Sequence, residues 1–477
     1  MDNQGTIITV VVYNILLIGI GFLASKKNQT NDDFYLGNRG LGPWVAALSA
    51  SASSSSAWTL LGVSGLAYSV GLGAVWILPG VLFGYFVSWT WIAPKLMELS
   101  KKTGAVSLPQ LLFHDFDEKD KKLLMRLSTI IITSTLVLYV AAQFQAAGTT
   151  FATILGISQS ASVILGALVI LIYTFIGGFW AVSLTDSIQA VLMFCIAIIL
   201  PSMLLMAAGG FTEVNQALDA IGTPAENSLT GVYAGMLGIG FIIGNISIGF
   251  GYPGQPFVVN RFMAAKDINT IRRGKYIAMF WALIIFSGMI LLGLTAKVMY
   301  STVSNPETVL FFVSEKLFGP IFAGIISAAV LSAIMSTADS QLLTVATSVD
   351  NDWNDGKNKN IKSARLAIIF VVIAATIFSL FAPDTIFDRV IFAWTAVGAA
   401  FVPMVLSKVL GWSVSGRAAL ISVLCGFLLT IVLHYLPNTP GDIVERTVPM
   451  ALGLLTCLLY TSPSPRDQRG SRMPSSA

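Results

Sequence analysis

The feature that most constrains this chain is a series of apolar runs, many of them about 20 residues long, which is the length a helix needs to cross a membrane. A transmembrane β-barrel would instead show segments of about 10 residues with alternating polarity. Only 11% of the residues are charged, less than half of the roughly 25% typical of soluble domains. The sequence therefore excludes a soluble enzyme and predicts an all-α integral membrane protein.

Thirteen runs are predicted to span the membrane. Their approximate bounds are 6–24, 41–67, 71–95, 123–153, 160–178, 184–208, 230–255, 276–300, 318–346, 364–382, 386–409, 416–435 and 446–460. Lys26 and Lys27 follow the first run rather than precede it, so we expect an anchoring span and not a cleaved signal peptide. After Tyr460 the composition changes abruptly, which predicts a non-native or disordered tail at 461–477.

Lysine and arginine are concentrated in every second loop, beginning with the loop after the first run. We assign Arg261 to one of these basic loops, whereas the opposite loops hold only Lys297, Lys316, Arg389 and Arg446. Basic loops stay on the cytoplasmic side. We therefore expect a multi-pass protein of the cell membrane, the inner membrane where there are two, with its N-terminus outside and its C-terminus in the cytoplasm.

Two runs contain residues that weaken a helix. The second carries the serines of ALSASASSSSAW (47–58), and the seventh ends in GFGYPGQP (249–256). Serine hydroxyls compete for backbone hydrogen bonds, and glycine with proline tolerates unwinding. The alternatives are close helix packing for the serines and an ordinary helix end for the second segment.

The two interrupted runs occupy equivalent places in the chain. If spans 2–6 and 7–11 are two halves of five helices, the odd number inverts the second half, and each half opens with an interrupted helix. This arrangement is expected at the binding site of a secondary transporter. We predict an extra span and loop at 1–40, inverted repeats at 41–208 and 209–409, additional spans at 410–460, and the tail at 461–477.

The ninth run carries a stripe of polar residues at helical spacing. The stripe consists of Ser332, Ser336, Asp339, Ser340 and Thr344. A carboxylate inside a membrane costs about 2.5–3.5 kcal/mol unless it has a partner, so Asp339 is a candidate functional residue; the alternative is a residue at the cytoplasmic helix end that reaches water. Asp186, at the start of the sixth run, is either functional or a helix N-cap.

Hydroxyl, carbonyl and carboxylate oxygens are the ligands that hard cations prefer. The sequence has no cluster of cysteine and histidine that would suit a transition metal. The second and ninth runs therefore predict the two walls of a small cation site, with Na⁺ as the ion.

Four stretches resemble the sodium/solute symporter family, and within it the bacterial sodium/proline symporters. They are DDFYLGNRGLGPWVAALSA, YTFIGGFWAVSLTDSIQA, YPGQPFVVNRFMAA and AAVLSAIMSTADSQLL. The resemblance implies a LeuT-like fold of 13 transmembrane helices with a five-plus-five inverted repeat. It also implies Na⁺-coupled symport of a small zwitterionic solute, L-proline first of all, with no nucleic acid and no obligate protein partner.

The resemblance implies a set of ion ligands. Sodium would bind the backbone carbonyls of Ala52, Ser55 and Ala333 and the hydroxyls of Ser336 and Thr337. In some relatives a second sodium site lies at the positions of Asp186, Asp339 and Ser340. Arg39 matches an arginine that matters for coupling.

The solute positions follow from the same resemblance. Tyr139, Tyr252 and Pro256 match substrate-site positions, and Ser56 matches a hydroxyl position beside the sodium site. Trp44 is expected to lie near the solute. Gln143, one turn past Tyr139, faces either the solute or a neighbouring helix. The chain departs from the proline symporters at three positions: Ser54 replaces an aspartate, Asp339 replaces a serine, and Ile248 replaces an expected tryptophan.

Other functions remain open at this point. A family member could carry another amino acid, a monocarboxylate, pantothenate, urea or a sugar, and a transporter-like protein could act as a solute sensor. We expect no lysine or arginine deep in the central spans, which disfavours an anionic solute without an amine. An enzyme is not expected, because no nucleophile–base pair, metal cluster or phosphate-binding loop stands out.

Overall fold

The computed structural model describes residues 4–25, 35–176, 178–221, 223–300, 302–354, 361–381 and 385–459. The predictions for Lys26, Lys27 and the tail at 461–477 lie outside the described residues.

Within these ranges thirteen helical segments, α1–α13, match the predicted spans in order, and shorter helices at Leu108–Leu112, Phe211–Ile221 and Val309–Leu317 lie in the connections. They are α1 (Gln4–Ser25), α2 (Pro43–Ala57, Trp58–Gly62 and Val63–Val70), α3 (Gly71–Trp76, Ile77–Val87, Ser88–Ile92 and Ala93–Thr103), α4 (Glu118–Leu155), α5 (Gln159–Ile176), α6 (Phe179–Ala207), α7 (Gly235–Ile246, Ser247–Gly254 and Pro256–Met263), α8 (Ile268–Met299), α9 (Pro320–Thr347 and Ser348–Asp352), α10 (Ile361–Phe381), α11 (Ile386–Leu410), α12 (Gly416–His434) and α13 (Ile443–Leu459).

Ten helices in the described ranges are long and apolar enough to cross a membrane. One of them, Pro43–Thr103, contains both α2 and α3, which are separated where Gly71 adopts a φ of 73°. α13 has 17 residues, which is short for a crossing. The predicted all-α architecture of a polytopic membrane protein is confirmed.

α9 and α11 lie at the centre of the helix bundle. In their most apolar windows 83% and 89% of the residues are buried, against 22% for α1. The polar stripe of α9 therefore faces other helices rather than lipid, so its side chains have to find partners inside the protein.

Glycines bring the interrupted helix α7 against α3. A Cβ atom on Gly249 would lie 1.8 Å from the carbonyl oxygen of Gly80, and one on Gly84 would lie 2.3 Å from the carbonyl oxygen of Gly249. The two backbones are in direct contact at this point, which only glycine permits.

Loop residues join the helix ends at both faces of the bundle. At one face the Lys297 ammonium lies 2.6 Å from Glu226, and its hydrogen bond lowers the pKa of the Glu226 carboxyl. At the other face Tyr35 donates a hydrogen bond to Asp350, and Ser107 donates to Asp352 over 2.5 Å.

Candidate ion and solute sites

The helical backbone of α2 is broken at Ser56, where φ is 31° and ψ is −173°. In an unbroken helix the N–H of Ala57 would bond to the carbonyl of Ser53. Here the Ala57 N–H donates to the side-chain oxygen of Gln143 on α4 over 3.0 Å. The serines from Ser49 to Ser56 are all buried, so the run is interrupted, as predicted, and does not face lipid.

The segment GFGYPGQP interrupts α7 rather than ending it. Residues Ser247–Gly254 form a tight 3₁₀ helix, Gln255 is extended, and the α-helix resumes at Pro256. The Gln255 amide fills the gap by donating to the carbonyls of Gly251 and Trp394 over 3.1 and 2.9 Å. The alternative of an ordinary helix end is therefore wrong.

Four of the five predicted sodium ligands, all but Ser55, lie where α2 meets α9. The Ser336 hydroxyl is 3.3 Å from the carbonyls of both Ala52 and Ala333, and the Thr337 hydroxyl donates to the Ser53 carbonyl over 2.9 Å. The buried hydroxyl of Ser55 has no protein partner in the structure. Converging carbonyl and hydroxyl oxygens fit a hard monovalent cation, so the residues present suit sodium.

A second polar cluster surrounds Asp186. One of its carboxylate oxygens accepts hydrogen bonds from Ser49 over 2.7 Å and from Ser53 over 3.2 Å. The Ser53 hydroxyl lies 2.9 Å from that of Ser340, which in turn donates to Asp339 over 3.3 Å. The structure thus brings together Asp186, Asp339 and Ser340, the three residues proposed for a second ion.

Arg261 is the member of this cluster that the sequence analysis missed. Its guanidinium lies 3.0 Å from Asp186, donates to Ser49 and Ser340 and sits over the ring of Phe179. The side chain is only 1% exposed. Its assignment to a basic loop is wrong, because it lies in the part of α7 that resumes at Pro256.

The stretch around Arg261 held a signal for its burial. In PFVVNRFMAA the arginine and Asn260 are the only polar residues among apolar neighbours, which is typical of a helix packed on all sides. The glycines and prolines before Arg261 suggest a helix end, so the sequence predicts a loop there. In the structure α7 instead resumes at Pro256.

The structure also decides between alternatives for the two acids. α6 begins at Phe179, before the predicted start at 184, so Asp186 lies inside the helix and does not cap it. Asp339 is fully buried, which rules out a side chain that reaches water at a helix end.

The charges of this cluster do not balance. Two buried carboxylates face one guanidinium, and Oδ1 of Asp186 and Oδ2 of Asp339 have no protein partner in the structure. An unpaired buried charge is costly. If both acids are ionised, a proton or a cation at these oxygens would balance the cluster.

Aromatic side chains close a second small site between the breaks of α2 and α7. Tyr85 packs on Tyr252 with 4.4 Å between ring centres, and its hydroxyl lies 2.9 Å from that of Ser54. Trp394 donates to the carbonyl of Ile248 over 2.9 Å. The enclosed cavity is about 10 Å³, room for about one water molecule, so a solute would require these side chains to move apart.

Several predicted solute residues lie around this aromatic group. The Tyr139 hydroxyl is 3.5 Å from that of Ser56, and its ring packs against Phe257, the residue after Pro256. Gln143 holds the Ala57 N–H, while its own amide nitrogen is buried without a protein partner. Tyr252, Pro256 and Ser56 are all buried.

Two predicted residues are not part of these sites. Trp44 stands in the first turn of α2 with 65% of its surface exposed. Arg39 follows two other residues with positive φ, Gly37 and Asn38, and donates to the carbonyl of Ala105 over 2.9 Å. It therefore links the start of α2 to the end of α3, at a distance from the ion ligands along the helix.

A polytopic helical protein with two helices interrupted beside buried polar groups has the architecture of a secondary transporter. The family model described as "Sodium:solute symporter family" matches residues 34–426. The chain belongs to the sodium:solute symporter family, so it is a Na⁺-coupled transporter and not an enzyme.

Curated relatives extend over nearly the whole chain. The osmoregulated proline transporter OpuE of Bacillus subtilis is 32% identical over 481 residues, covering 97% of this chain and 96% of its own. The high-affinity proline transporter PutP of the same species is 33% identical, with 87% and 89% covered. The sodium/proline symporter of Staphylococcus aureus is also 33% identical, with 90% and 86% covered.

Solved structures share the fold. A Na⁺-coupled sialic acid symporter in a substrate-bound outward-open state aligns with a TM-score of 0.79 at 18% identity, covering 96% of this chain and 99% of its own. Mhp1, a nucleobase-cation-symport-1 family transporter in a closed conformation, aligns with a TM-score of 0.59 at 11% identity, with 90% and 94% covered. These likenesses confirm the predicted LeuT-like fold.

Proposed function

We propose that this symporter carries L-proline into the cell together with sodium. The observation that carries the proposal is the contact of α2 with α9 beside the break at Ser56, where Ser336 and Thr337 donate to backbone carbonyls. The proline transporters among its relatives support the choice of solute.

The first sodium ion binds between α2 and α9. Its ligands are the carbonyls of Ala52, Ser55 and Ala333 and the hydroxyls of Ser336 and Thr337. The hydroxyls now donate to carbonyls of the facing backbone, and rotation of their hydrogens would turn the same oxygens toward a cation.

A second sodium ion binds beside Asp186, Asp339 and Ser340. The unpaired carboxylate oxygens of the two acids support this site, because one guanidinium cannot neutralise two carboxylates. Arg261 then serves as a fixed counter-charge that holds Asp186 while the ion is absent.

The solute binds between the two helix breaks, against Tyr139, Tyr252 and Ser56. A zwitterion suits this place because the N–H of Ala57 and the free amide nitrogen of Gln143 are donors for a carboxylate. The side chains that line the small aromatic cavity include no lysine or arginine, and Arg261 is engaged with Asp186. This lining therefore disfavours an anionic solute that has no amine.

Transport requires the site to open to one side of the membrane at a time. We assign the end of the bundle with Arg39 to the cytoplasm and the N-terminus to the outside of the cell membrane, following the basic loops. Arg39, which joins α2 to the end of α3, couples the movement of the ion-binding helix to that end. An impermeant thiol reagent should label a cysteine placed at Asn227 from outside intact cells; labelling only after lysis would reverse the orientation.

The solute is tested by counterflow in proteoliposomes loaded with unlabelled L-proline in Na⁺ buffer. We expect labelled L-proline to accumulate transiently, and other amino acids, pantothenate, urea and sugars to compete weakly. Counterflow with one of those solutes and none with proline would overturn the assignment while leaving sodium symport intact.

Another small solute is the second candidate, and Ile248 favours it. This residue lines the aromatic cavity at the position where proline symporters are expected to have a tryptophan, so the shape of the cavity differs from theirs. The same solute panel separates the two candidates.

A further inference from the structure

Helix α1 is fastened along α9, although it precedes the two predicted five-helix halves. The Thr6 hydroxyl donates to the carbonyl of Pro320 over 2.8 Å. A Cβ on Gly324 would lie 2.7 Å from the Cβ of Thr9, so the two helices touch there. Further along α9, the Tyr13 hydroxyl is hydrogen-bonded to Ser332.

The contact between Tyr13 and Ser332 has a defined direction. The Ser332 hydroxyl donates to the carbonyl of Ala328 over 2.8 Å, so its proton is used and its oxygen accepts from the phenol. Tyr13, on a helix outside the two predicted repeats, therefore holds the turn of α9 that contains Ser332.

That turn leads directly into the proposed sodium ligands. Ala333 is the next residue, and Ser336 lies one helical turn further on the same face. The Ser332 side chain is fully buried, so no water replaces the phenol as a donor. Loss of the phenol hydroxyl would let this turn rotate or shift, and the Ala333 carbonyl would move with it.

Helix α1 also contacts the other ion-binding wall, because it packs along α6. Gln189 lies one turn beyond Asp186 on α6, is fully buried, and stands beside the Tyr13 hydroxyl. Tyr13 therefore lies where α9, which carries Ser336, meets α6, which carries Asp186.

We propose that Tyr13 of α1 is a positioning residue for the sodium site: its phenol fixes α9 at Ser332 and so sets the geometry of Ala333 and Ser336. This inference rests on the sodium site described under the proposed function. It gives α1 a role in ion affinity, although α1 supplies no ligand of its own.

The test is the Na⁺ dependence of uptake by Tyr13→Phe, which removes the hydroxyl and keeps the ring. We expect the Na⁺ concentration for half-maximal uptake to rise about three- to tenfold, as the loss of one buried hydrogen bond implies. The maximal rate, and the solute KM at saturating Na⁺, should stay within about twofold of the wild type. A lower maximal rate with unchanged Na⁺ dependence would show a merely structural role and overturn the inference.

Tyr68→Phe is the matched control. It removes a phenol that donates to the carbonyl of Tyr300 over 2.7 Å, far along α2 from the ion ligands, and should leave the Na⁺ dependence unchanged. An equal shift in Tyr68→Phe would mean that any lost tyrosine hydroxyl weakens sodium binding, which also contradicts the inference.

Two more variants separate this inference from the proposed site. Ser332→Ala should shift the Na⁺ dependence as Tyr13→Phe does, and the double variant should shift it no further, since both remove the same contact. If Ser336→Ala changes the Na⁺ dependence and Tyr13→Phe does not, the inference fails and the site stands. If Ser336→Ala is also without effect, the location of the site fails and the inference fails with it.

Discussion

Ser336 and Thr337 each place a hydroxyl against a backbone carbonyl of α2, over 3.3 Å to Ala52 and 2.9 Å to Ser53. These contacts join the two helices beside the break in α2. At the scale of the residue, we propose that the oxygen atoms that form these helix contacts become ligands when sodium binds. An ion that binds here thus favours the state in which α2 and α9 are together.

Loss of either hydroxyl should weaken sodium binding. In Ser336→Ala and Thr337→Ala we expect the Na⁺ concentration for half-maximal uptake to rise about tenfold, equivalent to 1.4 kcal/mol. Thr347→Ala is the control on the same helix, because its hydroxyl bonds only within α9, to Leu343. Na⁺ titrations of uptake that superimpose for all of these variants would remove Ser336 and Thr337 from the site.

Arg261 and Asp186 should behave as a pair in stability. Arg261→Gln leaves a buried carboxylate without its charge partner, which costs about 3–5 kcal/mol, and should markedly lower the thermal unfolding temperature of the purified protein. The double variant Arg261→Gln/Asp186→Asn removes both charges and should recover most of the loss. Equal unfolding temperatures for the wild type and Arg261→Gln would contradict the pairing.

The set of sodium ligands comes from the resemblance to the symporter family and stays a prediction. The structure brings four of these residues together, namely Ala52, Ala333, Ser336 and Thr337. Arg261 was missed because a basic residue after a glycine–proline segment suggests a loop, and its partner Asp186 lies on a distant helix. Trp44 was placed with the solute residues, but it lies in the first turn of α2 and is largely exposed.

At the scale of the element, a glutamine side chain binds the backbone at the break in each interrupted helix. Gln143 of α4 accepts from the N–H freed at the break in α2, and Gln255, within the break of α7, donates to the carbonyls of Gly251 and Trp394. The sequence predicted that both helices would be interrupted, from the serine run and from GFGYPGQP. It did not predict the break at Ser56 in particular, because that position depends on a partner from α4.

The contact between α3 and α7 should tolerate no side chain. In Gly249→Ala the new Cβ would meet the Gly80 carbonyl at 1.8 Å, so the helices must separate, at a cost of roughly 1–3 kcal/mol or more. We expect a lower unfolding temperature and little folded protein in the membrane. Gly240→Ala on the same helix, where the nearest atom is 3.8 Å away, should match the wild type, and similar losses in both variants would point to a general intolerance of α7.

At the scale of the whole molecule, the sodium gradient must supply the work of accumulation. One Na⁺ that crosses about 100 mV releases about 2.3 kcal/mol, and a tenfold concentration gradient adds about 1.4 kcal/mol. The total supports roughly 500-fold accumulation of solute for each coupled ion. One ion is enough for useful uptake, so a second ion would raise the limit rather than make transport possible.

Asp339 should determine whether a second ion is coupled. In Asp339→Asn the cluster loses its unbalanced negative charge, so we expect the number of sodium ions moved per solute to fall from two to one. The membrane potential at which solute flux reverses in proteoliposomes measures this number. Asp115→Asn, which removes a carboxylate paired with Lys408 near a loop, should keep the wild-type value, and an unchanged value in Asp339→Asn would contradict the second site.

The overall architecture was the part of the molecule most accessible from sequence. Apolar runs of membrane-spanning length fixed the helices and their order, because lipid requires every backbone group of a crossing to bond within the protein. The orientation is inferred from the excess of lysine and arginine in alternate loops. Arg261 on the basic side, and Arg389 and Arg446 on the opposite side, are buried and do not count as loop residues. Leaving these three out does not change which side carries the excess. The central packing of α11 could not be predicted, because its apolar run resembles those of the outer helices, whereas the polar stripe of α9 already indicated an interior helix.

The central claim is that downhill sodium entry drives the uptake of an amino-acid-like solute. Its most direct test is uptake of labelled L-proline into proteoliposomes with an inward Na⁺ gradient and a negative interior, compared with the same vesicles in K⁺ alone. The account predicts accumulation above the external concentration with Na⁺, and only slow equilibration with K⁺. Equal accumulation in K⁺ buffer at every pH tested would contradict it.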